Sequence, residues 1–308
     1  MHVGVLFAPL VRSRLVSPPP ELSRLRVVLE GAGCRVSTLD ANRALAARWL
    51  ESGEPPPKIL ELDPNAGLVG TLPAEYLAGR VETRASVDVL RSPVDERPAS
   101  HHRYAVACQE VGAALRGINR AYHGLLLGLI EGSVQFSETT NSKESSIGWQ
   151  LSRADLDEVF GPILDFVDQP DDWSARSAEK TAQREPSQAD SATIDWWVIV
   201  AQEPEQTDWA LALARVLRTI SGRSVALVGD QTVLGIDGPG AVEAFDWLSY
   251  LILGDPEAVL PDLARWIETF GLASHADSAA DRSEHLASLP AGVLARGGPD
   301  AEPVLLEA

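Results

Sequence analysis

The chain has 308 residues, of which 45% are hydrophobic, enough for an α/β core of roughly 200 residues with insertions. Its 26 basic and 44 acidic residues give a net charge of −18, which repels nucleic-acid phosphates and anionic membranes, so we expect neither as a partner. Two cysteines are too few for a disulfide framework, and no apolar run is long enough to span a bilayer. We therefore expect a cytoplasmic protein.

The first 50 residues predict a βαβ unit. Residues 3–7 are an apolar run typical of a parallel strand that is buried on both faces. Leucines then recur at helical spacing, and glycines end this helix before a second strand at residues 35–39. A right-handed crossover makes the two strands parallel. A further helix is predicted at residues 43–50.

An insertion follows, in which the strand pattern is lost. Residues 51–100 are rich in proline and favour irregular structure. Apolar positions at helical spacing over residues 104–135 predict one long helix, or two helices broken near Gly117 or Gly124.

The insertion ends with a second helix and a polar segment. Ser152 and Asp155 resemble a capping box and predict a helix that continues to Val167. Residues 171–193 have almost no apolar side chains to bury, so we expect them to be mobile.

Three more strands are predicted in the last third of the chain, at residues 194–201, 225–228 and 247–253. Between the first two, Thr207 is predicted to cap a helix that Gly222 ends. A last helix follows the third of these strands.

The predicted fold is α/β, a doubly wound five-stranded parallel sheet of the flavodoxin or Rossmann-like kind. We assign residues 1–272 to a single domain, with residues 51–193 as a mostly helical or irregular insertion between the second and third strands. Residues 273–308 are predicted to be a loose tail. Such a sheet binds ligands at the carboxyl ends of its strands.

Polar and small residues follow three of the predicted strands, so we expect them to form one mouth at the carboxyl edge of the sheet. They are Gln202, Glu203 and Thr207, then Gly229, Asp230 and Gln231, and finally Gly254, Asp255 and Glu257.

Two interpretations of the last group remain. Its N–H groups and the Glu257 carboxylate bind a polar ligand edge, or Asp255 only caps a helix that begins at Pro256. The loops after the other two strands either line the same mouth or are ordinary polar transitions.

Several kinds of site have no signature in the sequence. The six histidines show no metal-ligand spacing, and there is no Rossmann glycine motif, Walker loop or nucleophile elbow. We therefore assign no catalytic residue and no metal ligand.

The order of several short motifs resembles a known module. The first strand ends in a loop with Pro9, and the second ends in the aspartate-x-asparagine turn of residues 40–42. The fourth strand ends in Gly229-Asp230, the fifth in the Gly-Asp-Pro-Glu turn of residues 254–257, and residues 290–298 read PAGVLARGG. This series is similar to the cobalamin-binding domain that precedes the barrel of cobalamin-dependent radical SAM enzymes. The barrel itself is missing.

The resemblance implies that Pro9 and the mouth residues contact cobalamin. Asp230 and Pro256 stand where the family has glycines, and a side chain there obstructs a corrin that needs close backbone approach. The Cys-x3-Cys-x2-Cys loop of a radical SAM site is absent, so we expect no iron-sulfur cluster and no catalysis by this chain alone.

Three functions follow as hypotheses. The first is a free-standing module that binds cobalamin or assists a separate radical SAM enzyme, or another biosynthetic protein, in peptide or natural-product modification. The second is a non-catalytic scaffold or partner-binding protein with a degenerate pocket. The third is an enzyme of the same fold that acts on a small ligand.

Overall fold

The structure is a computed structural model, and the contacts in it divide the chain into two compact units. The first comprises Met1–Ala8, Pro19–Asp40 and Asp165–Ala308, and the second comprises Pro9–Pro18 and Ala41–Leu164. The residues that the structure describes are 1–9, 19–51, 80–91, 101–132, 134–136, 149–170, 193–229, 247–270, 289–291 and 293–295.

The described parts of the chain contain both strands and helices. The strands are β1 (His2–Phe7), β2 (Arg35–Asp40), β3 (Val134–Phe136), β4 (Trp149–Leu151), β5 (Trp196–Val200), β6 (Ser224–Gly229), β7 (Tyr250–Leu253) and β8 (Val293–Ala295). The helices are α1 (Pro20–Gly31), α2 (Ala41–Glu51), α3 (Arg80–Arg91), α4 (His101–Glu131), α5 (Arg153–Asp168), α6 (Thr207–Ser221) and α7 (Pro256–Phe270). A 3-10 turn, Pro204–Gln206, leads into α6.

The first unit is built on one sheet with the strand order β2-β1-β5-β6-β7-β8. The five strands that the sequence predicts all pair in parallel, which confirms the α/β class and the parallel core. Every residue of β1, β5 and β6 is buried, as expected when helices cover both faces of a parallel sheet.

The predicted count of five strands is wrong, because β8 adds a sixth. It pairs antiparallel with β7, and Val293 lies opposite Ile252. Its three residues are too few to show a strand pattern, and they lie in the segment predicted to be a loose tail. The short strand covers the edge that β7 leaves open.

The chain leaves the centre of this sheet in two directions. From β1 it passes through α1 to β2, and from β5 it passes through α6 to β6 on the other side. Right-handed crossovers therefore place α1 and α6 on opposite faces. The crevice between the carboxyl ends of β1 and β5 is the topological switch point, where open α/β sheets bind ligands.

The second unit contains α2, α3, α4, most of α5 and the parallel pair β3 and β4. Helix α4 continues without a break through Gly117 and Gly124, which decides between the two predictions for this segment. The rings of Trp49 and Tyr122 stack inside this unit, with their centroids 5.2 Å apart.

Helix α3 corrects the prediction of irregular structure for residues 80–91, whereas residues 52–79 and 92–100 of that segment lie outside the described residues. Four of the side chains described in this helix are buried at helical spacing, but two of them, Thr83 and Ser86, are polar and hide the apolar stripe. Ser86 donates a hydrogen bond to Glu110 of α4. A partner helix therefore stabilises a segment whose own sequence gives a weak signal.

The capping box before α5 is confirmed. The Ser152 N–H donates to Asp155 Oδ2 at 2.6 Å, and the Asp155 N–H donates to Ser152 Oγ at 3.2 Å. The segment predicted to be mobile, residues 171–193, lies outside the described residues except for its last position. Within the described ranges, none of the helices is both long enough and apolar enough to cross a membrane.

Candidate functional site

Parallel pairing brings the ends of β5, β6 and β7 to one edge of the sheet. Val200 lies opposite Val228, which lies opposite Ile252, and Gly229 pairs with Leu253. Neighbouring strands are about 4.8 Å apart, so the loops that follow these strands start within about 10 Å of one another.

Gln202 and Gly254 follow β5 and β7, and Gly229 is the last residue of β6, so the three share the carboxyl edge. Asp230 and Gln231 lie outside the described residues. That these positions contact a ligand stays a prediction.

The turn after β7 is a helix cap. The Glu257 N–H donates to the Asp255 carboxylate (Oδ1) at 2.9 Å, and Pro256 is the first residue of α7. Gly254 has a φ of 108°, a conformation that strongly favours glycine, and a Cβ built there meets no atom within 4 Å. The turn thus combines capping with an exposed, open backbone position.

Glu257 also forms an ion pair with a residue of α1. Its Oε1 accepts a hydrogen bond from Arg24 Nη1 at 3.1 Å, and Arg24 also pairs with Glu21 at 3.4 Å. This partly exposed ion pair contributes little to stability, on the order of 0–1 kcal/mol. It does compensate the charge that Glu257 was predicted to offer to a ligand.

The loop after β5 is held by Gln206, a residue that the sequence interpretation did not select. Its side chain is 0% exposed, and together with Glu203 it forms a capping box around the 3-10 turn. Its Oε1 accepts hydrogen bonds from the N–H groups of Gln202 at 2.8 Å and Glu203 at 3.0 Å. The spacing Glu203-x-x-Gln206, with Pro204 first in the turn, is the signal that was available.

Thr207 is not the helix cap that was predicted. It is the first residue of α6, and the N-cap position belongs to Gln206. The 3-10 turn moves the capping interaction one turn upstream, to Glu203 and Gln206. Thr207 is half-buried, and its predicted contact with a ligand stays a prediction.

The end of β1 lies beside the loop after β5. The Ala8 N–H donates to the Val200 carbonyl at 2.9 Å, and Gln206 Nε2 donates to the Ala8 carbonyl at 2.5 Å. Pro9 comes next in the chain and is buried. Its predicted contact with cobalamin stays a prediction.

Among the residues described at this edge, no groups for metal or thiol chemistry are assembled. In the described ranges no three His, Cys, Asp or Glu side chains are grouped to hold a metal ion. Burial raises the pKa of the Cys34 thiol, the amino terminus opposes this shift, and Glu268 adds to it. Cys34 lies just before β2, at the amino edge of the sheet, so this thiol is remote from the candidate mouth.

Comparison with known proteins found no matching family model, no matching curated protein and no matching solved structure. The likeness to the cobalamin-binding module therefore remains an expectation from the order of the motifs. What the structure supports is coarser, an α/β sheet of the Rossmann-like kind with a topological switch point.

Proposed function

We propose that the first unit is a free-standing module that binds cobalamin at its carboxyl edge or assists a separate radical SAM enzyme. The partner's substrate is a peptide or another natural product. The observation that carries this proposal is the parallel core β2-β1-β5-β6-β7, whose loops after β5, β6 and β7 open on one edge. Two members of the motif series of the cobalamin-binding module, Gly229-Asp230 and residues 254–257, come at the ends of β6 and β7.

At one position of this edge, the backbone leaves room for a broad, flat ligand. Gly229 and Gly254 carry no side chains, and the space that a Cβ would enter at Gly254 is open. Residues 201–206, 230–249 and 254–255, which follow β5, β6 and β7 in the chain, include no histidine, so these segments would supply no histidine ligand to a cobalt ion. Cobalamin would supply radical or group-carrier chemistry, and this chain would supply binding and orientation.

A titration with hydroxocobalamin, followed by its visible absorption, tests the proposal. We expect saturable spectral change in the wild type and loss of binding in Gly254→Trp, because the new ring fills the open part of the mouth. No spectral change and no retention of cobalamin at tens of micromolar would contradict the cobalamin-binding half of the proposal.

Gly222→Trp is the matched control for backbone strain. Gly222 also has a positive φ, 64°, and open space around its Cβ position, but it ends α6 at the opposite edge of the sheet. Both substitutions therefore strain the backbone, at a cost on the order of 1 kcal/mol or more, so Gly254→Trp lowers stability as well as binding. Only Gly254→Trp should abolish the titration signal.

A second function is favoured by the engaged polar groups of the mouth. Glu257 is paired with Arg24, and Gln206 occupies the N–H groups after β5, which supports a scaffold or partner-binding protein with a degenerate pocket. Asp230 and Pro256 support the same interpretation.

The two functions differ in one experiment. If the wild type does not bind hydroxocobalamin, the double variant Asp230→Gly, Pro256→Gly should recover some binding where the pocket is vestigial. A double variant that folds and still binds no cobalamin would contradict a pocket that has degenerated from a cobalamin site. A monomer that captures no partner protein would contradict the scaffold function.

A further inference from the structure

The side chain of Gln206 lies at the topological switch point, between the carboxyl ends of β1 and β5. Its side chain is fully buried, and its amide makes three hydrogen bonds. The oxygen accepts from the N–H groups of Gln202 and Glu203 at 2.8 and 3.0 Å, and the nitrogen donates to the Ala8 carbonyl at 2.5 Å. The Ala8 carbonyl ends β1 and the two N–H groups follow β5, so the amide bridges the crevice between these strands.

The three backbone groups around this amide favour a neutral partner that has an acceptor oxygen beside a hydrogen-bond donor. Two N–H donors and one carbonyl acceptor match the oxygen and the NH₂ of a primary carboxamide. A carboxylate accepts from both N–H groups but has no proton for Ala8, and burial of its charge is costly. An ammonium group has the reverse defect, because it cannot accept from either donor.

The capping box explains only part of this arrangement. A capping glutamine satisfies the N–H of the N-cap residue, here Glu203. The additional bonds from the Gln202 N–H and to the Ala8 carbonyl, which is 198 positions away in sequence, are not needed to cap a 3-10 turn.

We propose that the backbone of Ala8, Gln202 and Glu203 forms a binding site for a primary carboxamide at the switch point, which Gln206 occupies in the free protein. The corrin ring of cobalamin carries primary acetamide and propionamide side chains. One of these would compete with Gln206, and this natural ligand rests on the proposed function, whereas the carboxamide site itself does not.

The test uses Gln206→Ala, which removes the internal amide and leaves its three partners in place. Propionamide should raise the midpoint of thermal unfolding of this variant saturably and leave the wild type unchanged. At ten times its dissociation constant, propionamide should shift the unfolding equilibrium of the variant about 11-fold. Should the variant not fold alone, recovery of folded protein on refolding with propionamide supports the site, and failure to recover overturns it.

Leu213→Ala provides the matched control. Leu213 is also 0% exposed and lies in α6, so its truncation leaves a buried cavity without hydrogen-bonding groups. Propionamide should not stabilise it, and propionate should not stabilise Gln206→Ala. No effect of propionamide on Gln206→Ala, or an equal effect on Leu213→Ala, would overturn the carboxamide site.

Hydroxocobalamin separates this inference from the proposed function. Rescue by propionamide without cobalamin binding to either protein supports the site and rejects cobalamin as its ligand. Cobalamin binding to both proteins without rescue supports the module and rejects the site. Rescue combined with tighter cobalamin binding by Gln206→Ala supports both.

Discussion

Gly4 in β1 offers a sharp test of how the sheet is packed. A Cβ built on Gly4 lies 2.4 and 2.5 Å from two carbons of the Trp197 ring and 2.8 Å from Ile194 Cδ1. The ring is held, because its Nε1 donates to Ser221 at 3.1 Å and its edge packs against Phe166 with ring centroids 6.0 Å apart. An added methyl group therefore displaces a fixed aromatic ring.

We expect Gly4→Ala to lower the free energy of unfolding by about 2–3 kcal/mol. Overpacking of a core costs ~1–3 kcal/mol, and the fixed ring places this site at the upper end. The lower entropy of the unfolded chain with alanine offsets ~0.4–1 kcal/mol of that cost. Urea denaturation followed by far-ultraviolet circular dichroism measures the change.

Two further variants test whether contact with the Trp197 ring causes the loss of stability in Gly4→Ala. Gly31→Ala places a Cβ in open space at the end of α1, so this variant should be neutral or slightly more stable. In a Trp197→Leu background, the cost of Gly4→Ala should fall below about 1 kcal/mol, because the two positions are coupled by contact. An unchanged cost in that background, or no cost in the wild type, would refute the packing of Trp197 against Gly4.

Three further predictions concern single groups. Burial raises the pKa of the Cys34 thiol above its value in the unfolded chain. The stability that the neutral thiol contributes is therefore full below the unfolded-state pKa and is lost as pH rises through the folded-state pKa. Urea melts at alkaline pH should show a smaller loss of stability with pH in Cys34→Ala. Gly222→Ala should cost about 1 kcal/mol in the same assay because φ is 64° at the end of α6, and no cost would contradict that conformation. Ser152→Ala should cost about 1 kcal/mol by removing the cap of α5, whereas Ser152→Thr should keep most of the stability.

The parallel core was predictable because its strands are buried on both faces. A strand of this kind must be apolar along its whole length, and the run that becomes β5 shows this directly. Helix α3 was not predictable, since Thr83 and Ser86 face the interior and mask the helical period. Strand β8 was missed because three residues carry no period, and their pairing depends on an open edge at β7.

The sequence allowed the location of the candidate site to be predicted, but not the contacts of its side chains. Topology alone placed Gln202, Gly229 and Gly254 at one edge, because loops after parallel strands emerge together. The partners of individual side chains were not accessible. Arg24 lies 233 positions from Glu257, and Ala8 lies 198 positions from Gln206, so only the fold brings these groups together.

The direction of β8 bears on how this protein is best handled. Because β8 runs antiparallel to β7, Ala295 ends at the amino edge of the sheet, the same edge at which His2 begins β1. The chain therefore enters and leaves the sheet on the side opposite the mouth. A tag, a surface linker or a fused partner joined near either position therefore starts at the edge of this sheet that is farther from the mouth.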